Sequence, residues 1–265
     1  LKHICSPTSR LTPSCCGSSR PLRGMSGDWF FDLFGFREGS VEETKSQLRV
    51  EVEDGPQGSV RLTSLANNAS YNAGRFETQS VGELRERVKE AGSKGRLRVR
   101  NELGDIGSIL AMRDNRLATF QVASQFNCLE MPGPSVTPEE GVTGYVRDRT
   151  QGPCCSVACG PATVYRNYFV PVGDQVGQTA KLQLDTLHDI SDKVGNWPPG
   201  RYYTVQNGYS LCQDEARLQR LNTVLEQAEA DGRLDDIHQA LRVGVHSDVQ
   251  VTSRNWGSIP ERDTE

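Results

Sequence analysis

Apolar and polar residues alternate in the first half of the chain. Leu48, Val50 and Val52 alternate with charged residues. The same alternation resumes at Val60, after the turn-forming run Asp54-Gly55-Pro56. A period of two that is interrupted by turn residues predicts a β-hairpin with one buried face.

A helix is predicted shortly after this hairpin. Ser80 and Glu83 have the spacing of a capping box, and Gly92 is typical of a helix end. The apolar residues between Val81 and Val88 fall on one side of such a helix. We therefore expect an amphipathic helix that starts after Ser80 and stops at Gly92.

Strand and helix patterns alternate through the rest of the chain. Leu97 and Val99 suggest a strand, and residues 118–123 form the pattern of a largely buried strand. A helix pattern covers 154–168, and Pro161 inside it leaves open whether this is one helix or two. The later predicted elements are an amphipathic helix at 215–230, a second one at 234–241 and a strand at 243–251. This succession predicts an α/β fold.

The charge balance limits the classes of partner. The chain has 30 basic and 34 acidic residues, a net charge of −4, and no basic stripe of the kind that binds nucleic acid or an anionic membrane. No apolar run approaches the ~20 residues of a membrane helix. We therefore expect neither nucleic acid nor a membrane as a partner, and a cytoplasmic location.

Residues 1–24 differ in composition from the rest of the chain. They contain no Asp or Glu and are rich in Ser, Arg, Pro and Cys. Two interpretations stay open: a transit-type leader, which would direct the chain to an organelle, or translated upstream sequence with Met25 as the true start, which we favour. After this segment we expect a hairpin and helix region at 25–100 and a ligand-binding region at 101–265.

The eight cysteines do not form the framework of a small disulfide-rich domain, and they lack the paired spacing of a zinc site. We predict reduced, structural thiols. Cys154 at a helix start would be a candidate nucleophile, but no His or Asn is placed nearby to activate it. Asp185, Asp189 and Asp192 lack the glycine and terminal glutamate of an EF-hand loop. Neither a metal nor a cofactor is predicted.

Polar side chains follow the predicted buried strand and the long loop behind it. Asn127 comes just after the strand, where an amide can exchange hydrogen bonds with sugar hydroxyls. Glu140 and Asp148 bracket a turn-rich stretch, and residues 150–153 lead into a helix whose free N–H groups favour phosphate. We expect these segments to converge on one pocket at the strand ends. The alternatives are a turn role for Asn127, solvated loop charges for the two acids, and a loop-bracing role for Gln151.

Three runs in this region resemble a known family. QVASQFNCLE, PEEG and DRTQGPCCSVACGPATVYRNYF are similar to a branch of the macrodomain superfamily related to arginine-specific ADP-ribosylhydrolases, which includes a bacterial effector that removes ADP-ribose from ubiquitin. The resemblance extends from Met25 to the end of the chain and is densest over Gln121 to Phe169. It implies a macrodomain-like α/β/α sandwich with a mixed sheet.

The resemblance also implies roles for individual residues. Asp148 would act at the anomeric carbon of the ribose, with Glu140 assisting. The residues implied to bind the ligand are Gln125, Asn127, Thr150, Gln151, Gly152 and Asn167. The partner would be ADP-ribose or an ADP-ribosylated protein, and the reaction would be hydrolysis of the bond between ADP-ribose and an arginine side chain.

One part of the family pattern is missing from the sequence. The resemblance implies a further apolar strand that ends in a loop of the form Gly-Gly-Gly-Ala-Phe-Gly, whereas the tail from Thr252 has no such run. We therefore expect a truncated product that lacks C-terminal sheet. The alternatives to a hydrolase are a module that binds ADP-ribose or a nucleotide without turnover, and a protein-interaction scaffold.

Overall fold

The computed structural model describes residues 28–52, 59–92, 94–101, 103, 104, 106–110, 112, 115, 119–122, 124–212, 214–242 and 249–252. The expectations for residues 1–24, for the Asp54-Gly55-Pro56 turn, for the strand residues 243–248 and for the tail after Thr252 lie outside these ranges.

Helices and short strands alternate along the described chain. The helices are α1 (Trp29–Phe34), α2 (Val41–Ser46), α3 (Val81–Ala91), α4 (Ile106–Leu110), α5 (Gln151–Ala158), α6 (Gly160–Tyr168), α7 (His188–Val194), α8 (Glu215–Ala230) and α9 (Leu234–Ala240). The strands are β1 (Leu48–Val52), β2 (Val60–Ser64), β3 (Ser70–Gly74), β4 (Thr119–Val122), β5 (Pro171–Val172), β6 (Gln175–Val176), β7 (Tyr203–Gln206), β8 (Tyr209–Cys212) and β9 (Val249–Thr252). Two 3-10 helices, Pro138–Glu140 and Thr143–Arg147, lie between β4 and α5.

The strands form small antiparallel sheets. One sheet has the order β1-β2-β3, and three two-stranded sheets pair β4 with β9, β5 with β6, and β7 with β8. Every one of these pairs is antiparallel. The prediction of a chain that mixes helices and strands is confirmed, and the strands belong to short local sheets.

The first predicted hairpin and helix are confirmed. Strands β1 and β2 pair antiparallel from Leu48 opposite Ser64 to Val52 opposite Val60. Ser80 accepts a hydrogen bond from the backbone of Glu83, and the Glu83 carboxylate accepts one from the backbone of Ser80. These reciprocal bonds satisfy donors at the helix start that have no partner within the helix.

The strand suggested at Leu97 and Val99 is wrong. Residues 94–101 have no regular secondary structure, and the two side chains are 66% and 77% exposed. The apolar side of α3 is not buried either, since Val88 is 67% exposed. The apolar residues of 94–101 are therefore not covered, and α3 contacts α9 through side chains that are at most partly buried.

The predicted 154–168 helix is two helices. The chain bends at Cys159, between α5 and α6, and Pro161 is in the first turn of α6, where its missing N–H leaves no helical bond unmade. Gly160 also contributes to this bend. A Cβ there would lie 2.6 Å from the ring of Trp29 and 2.8 Å from Leu33, so glycine lets α1 pack against the bend.

The main core joins α1 and the first sheet to the loop after β4 and to α5 and α6. The side chains of α1 that are fully buried meet residues of β1–β3, of the loop after β4, and of α5 and α6. The largest contributors are Trp29, Phe30, Phe34, Leu62, Leu129, Met131, Val142, Val157 and Tyr168. Elements from both sides of residue 100 therefore share one core.

Glu38 fixes the segment that leads to Asp148. Its carboxylate accepts hydrogen bonds from the backbone N–H groups of Val142 and Thr143, each at 2.8 Å, and from the hydroxyl of Tyr168 at 2.8 Å. Trp29 adds a bond from its indole N–H to the Thr143 carbonyl at 3.1 Å. The carboxylate therefore caps the start of the Thr143–Arg147 3-10 helix.

None of the described helices has both the length and the apolar content that crossing a bilayer requires.

Candidate functional site

The loop after β4 is a tight, internally bonded turn. The backbone N–H of Gln125 donates to the Leu129 carbonyl at 2.9 Å, and the N–H of Cys128 donates to the Gln125 carbonyl at 2.8 Å. Asn127 is fully buried at the centre of the turn. Its Oδ1 accepts from the backbone of Leu129 at 3.1 Å and its Nδ2 donates to Gln183 at 2.8 Å. The Asn127 amide therefore closes the turn.

The β7–β8 hairpin docks against this loop. Its two-residue turn, Asn207-Gly208, has φ values of +46° and +79°, which is the backbone of a type I′ turn. The N–H of Phe126 donates to the Gly208 carbonyl at 2.8 Å, and the Asn207 amide donates to the Pro134 carbonyl at 2.7 Å. A Cβ at Gly208 would lie within 2.6 Å of side-chain atoms of Gln125 and Asn127, so only glycine permits this approach.

Tyr209, the first residue of β8, closes a ring of hydrogen bonds. Its hydroxyl donates to the Met131 carbonyl at 2.5 Å and accepts from Gln125 Nε2 at 3.3 Å. Gln125 Oε1 in turn accepts from the backbone N–H of Met131 at 2.8 Å. The sequence patterns did not single out Tyr209, although the Asn207-Gly208 pair between two β-type runs is a strong hairpin signal that would have located it.

Asp148 is one of the charges that influence the same tyrosine. The pKa of Tyr209 is raised, first by burial and then by the negative charges of Glu130 and Asp148, so both carboxylates are within electrostatic reach of its hydroxyl. Glu130, which the sequence patterns also missed, is buried, with 4% of its surface exposed. We call Gln125, Glu130, Met131, Asp148 and Tyr209 the polar junction.

Asp148 is held ionised by its own turn. Its carboxylate accepts hydrogen bonds from the Thr150 hydroxyl at 2.6 Å and from the Thr150 N–H at 2.8 Å. These bonds, the side-chain bond first, hold its pKa below the usual range. Since Asp148 is only partly buried, the carboxylate is open to solvent as well as fixed in position.

The start of α5 comes directly after this turn. Thr150 is the N-cap residue, yet its hydroxyl bonds to Asp148 and makes no capping bond to the helix. Gln151 is partly buried, with its amide 3.9 Å from the Cys155 sulfur, and Gly152 is buried. Exposed Arg147 and Arg149 flank Asp148. Arg147 and Arg149 therefore precede a helix start that the Thr150 side chain does not cap.

The two remaining predicted site residues lie near the other 3-10 helix. Glu140 is exposed, and its carboxylate accepts from the backbone N–H of Thr137 at 3.1 Å, which caps that helix. Asn167 is 1% exposed and donates to the Pro138 carbonyl at 3.1 Å. Both side chains support the Pro138–Glu140 turn, and their hydrogen bonds within the described part of the chain do not reach the polar junction.

Thiols fill the contact between the loop after β4 and α5. Cys128, Cys155 and Cys159 are buried in one cluster, and the described cysteines are free thiols. Burial, followed by the neighbouring thiols and Glu130, raises the pKa of Cys155 to about 12. The thiol is therefore protonated at neutral pH, which suits packing and not nucleophilic attack. The loop after β4 and α5 therefore meet through packed thiols, and the pocket that we expected between Asn127 and residues 148–152 stays a prediction.

The acidic residues on and before α7 have structural partners. Asp189 pairs with Arg242 at 2.7 Å, Asp192 lies 3.6 Å from His188, and Asp185 accepts from the backbone of Leu187 at 2.9 Å. Across the described ranges, no three His, Cys, Asp or Glu side chains are grouped so that they could hold a metal ion.

Comparison of the chain with models of protein families, with curated proteins and with solved structures finds no match. The function is therefore inferred from the polar junction and from the sequence resemblance.

Proposed function

We propose that the chain binds ADP-ribose at the polar junction and the start of α5, and that it hydrolyses ADP-ribose from arginine side chains of a modified protein. The observation that carries the proposal is the position of Asp148: an ionised, solvent-accessible carboxylate in the turn directly before a helix start. The proposed fold is a macrodomain-like α/β/α sandwich, which is supported by the mixed α/β content.

The diphosphate is assigned to the first turn of α5. Backbone N–H groups at a helix start favour anions, and Thr150 does not occupy them because its hydroxyl is turned to Asp148. The exposed guanidinium groups of Arg147 and Arg149 add positive charge next to this turn, in a form that suits phosphate oxygens. Thr150, Gln151 and Gly152 thus keep the ligand-binding role that the resemblance implies.

The ribose is assigned to Gln125 and Thr150. Thr150 bonds to Asp148, Gln125 bonds to Tyr209, and both carry groups that exchange hydrogen bonds with hydroxyls. Asn127 is proposed to support the loop that carries Gln125, because it is buried and bonded to Leu129 and Gln183, whereas Asn167 supports the Pro138–Glu140 turn. Glu140 is proposed as the second acid on the resemblance alone, because its carboxylate caps that turn.

The hydrolysis needs no reactant other than water. As the bond between the ribose carbon and the guanidine nitrogen breaks, the electron pair leaves on nitrogen and the carbon gains oxocarbenium character. The water oxygen bonds to that carbon, and Asp148 takes a water proton and passes it to the leaving nitrogen. Its negative charge also stabilises the positive charge that develops on the sugar.

Asp148→Asn tests the proposal. We expect wild-type protein to bind ADP-ribose in calorimetry and to release it from an arginine-modified protein. The Asp148→Asn variant should bind within a few-fold of wild type yet release ADP-ribose at least about 100-fold more slowly, the scale of a lost acid–base or electrostatic group.

Asp174→Asn is the matched control, since Asp174 is an exposed acid in the turn between β5 and β6, and it should change neither quantity. Full release by the Asp148→Asn variant would refute the catalytic assignment. If wild-type protein binds ADP-ribose but does not release it from the modified protein, the chain is a binding module without turnover. If it does not bind ADP-ribose, the protein-interaction scaffold is favoured.

A further inference from the structure

The β7–β8 hairpin is the one element of the polar junction that neither the sequence patterns nor the resemblance assigned to the site. It contributes the Tyr209 hydroxyl, which touches Gln125 and the Met131 carbonyl. It also contributes the Gly208 carbonyl, which accepts from the backbone of Phe126 at 2.8 Å. The hairpin therefore bonds to the backbone of the loop after β4 at Phe126 and Met131 and to the side chain of Gln125.

We propose that Tyr209 is a positioning residue of the ADP-ribose site, which holds the Gln125 amide and the Met131 backbone in place. This inference rests on the proposed function. Gln125 Nε2 donates to the Tyr209 oxygen while Gln125 Oε1 accepts from Met131, so both ends of the amide are fixed. An amide fixed in this way meets a ribose hydroxyl with little loss of side-chain freedom on binding.

A second tyrosine on the same hairpin provides a matched control. Tyr203 on β7 is also partly buried, and its hydroxyl bonds to the Ser191 hydroxyl at 2.8 Å, on α7 and not in the polar junction. Removing the Tyr209 hydroxyl breaks two partly buried hydrogen bonds, and removing the Tyr203 hydroxyl breaks one. Both Tyr209→Phe and Tyr203→Phe should therefore lower the melting temperature, the first by more, and only the first should affect the ligand.

The first measurement is the dissociation constant for ADP-ribose. We expect Tyr209→Phe to raise it about 10-fold, the effect of one lost hydrogen bond, and Tyr203→Phe to leave it within about two-fold. Because Tyr209 acts through Gln125, adding Tyr209→Phe to Gln125→Ala should have little further effect, whereas independent contributions would multiply.

The second measurement is spectroscopic. In protein labelled with 3-fluorotyrosine, the fluorine resonance that is missing from Tyr209→Phe should shift when ADP-ribose is added, and the resonance that is missing from Tyr203→Phe should not. Wild-type affinity in Tyr209→Phe, equal loss in both variants, or a stationary Tyr209 resonance in protein that binds would overturn this inference alone. Wild-type protein that does not bind ADP-ribose would overturn the proposed function together with it.

Discussion

The two halves of the candidate site, residues 124–131 and 148–152, use their polar groups in opposite ways. In the first half Asn127 is fully buried, and both atoms of its amide are bonded to other parts of the protein. In the second half Asp148 is partly exposed, and its carboxylate accepts its hydrogen bonds from Thr150, within its own turn. The first half is therefore a rigid support, and the second half presents charge to solvent.

This difference distinguishes two roles that a polar residue after a buried strand can have. An amide at such a position either meets a ligand or replaces the backbone bonds that the ending strand no longer makes. Asn127 has the second role and replaces backbone hydrogen bonds, because the hairpin turn at Gly208 packs directly on its side chain. Substitutions in the first half should therefore change stability most, and those in the second half should change ligand chemistry.

Gly208→Ala should have the largest effect. Its φ of +79° is strained for alanine, and the added methyl group would overlap with Gln125 and Asn127. We expect a loss of about 3–5 kcal/mol in the free energy of unfolding, from the sum of strain and overpacking. Urea denaturation of wild type and variant measures this loss of unfolding free energy.

Gly200→Ala is the control for that change, since the nearest atom to an added Cβ there is 4.0 Å away. It should alter the free energy of unfolding by less than about 0.5 kcal/mol. Equal losses in both variants would mean that the docking of the hairpin on the loop does not stabilise the first half.

Asn127→Ala should have the next largest effect. The change leaves the Leu129 N–H and the Gln183 amide without their partner in a buried setting, which we expect to cost about 2–3 kcal/mol of unfolding free energy. Thr150→Ala, in the second half, is exposed and should cost far less. A stable Asn127→Ala variant that has lost ADP-ribose binding would reverse the comparison, because Asn127 would then be a ligand contact.

Thr150→Ala should have the smallest effect, and we expect that effect on the pH dependence of ADP-ribose release. The Thr150 hydroxyl is the main cause of the lowered pKa of Asp148, so its removal raises that pKa. The ionised carboxylate is present above its pKa and is lost as the pH falls through it. The acid limb of the pH profile for ADP-ribose release should therefore move to higher pH in Thr150→Ala.

Thr150→Ser keeps the hydroxyl and should keep the wild-type profile. If the acid limb moves equally in the serine and alanine variants, the hydroxyl does not control the ionisation of Asp148.

Signals that lie within a few residues of each other predicted much of the fold. The β1–β2 hairpin and the Ser80–Glu83 capping box can be inferred from spacing alone, because their stabilising contacts are local. Pro161 indicated a break but not its form, since a proline in the first turn of a new helix is as acceptable as a kink. The Leu97 strand failed because strand formation depends on a neighbour that the local pattern does not reveal.

The site was predictable only in part for the same reason. The sequence indicated Asp148 and the start of α5, and the structure adds the two hydrogen bonds that hold the carboxylate ionised. Tyr209 and Glu38 reach the site from distant parts of the chain, and Glu38 bonds to a backbone 104 residues away. No periodicity or spacing in a single sequence records such a contact.

The hydrogen bonds that the Glu38 carboxylate accepts from Val142, Thr143 and Tyr168 have a consequence for how the chain folds. Glu38 and Tyr168 are 130 residues apart in sequence, so the bond between them closes only after Tyr168 has left the ribosome. A contact over so long a stretch is slow to form, because the entropy of closing a long loop opposes it. Until then α1 exposes its aromatic side chains, and the newly made protein is at its most prone to aggregate.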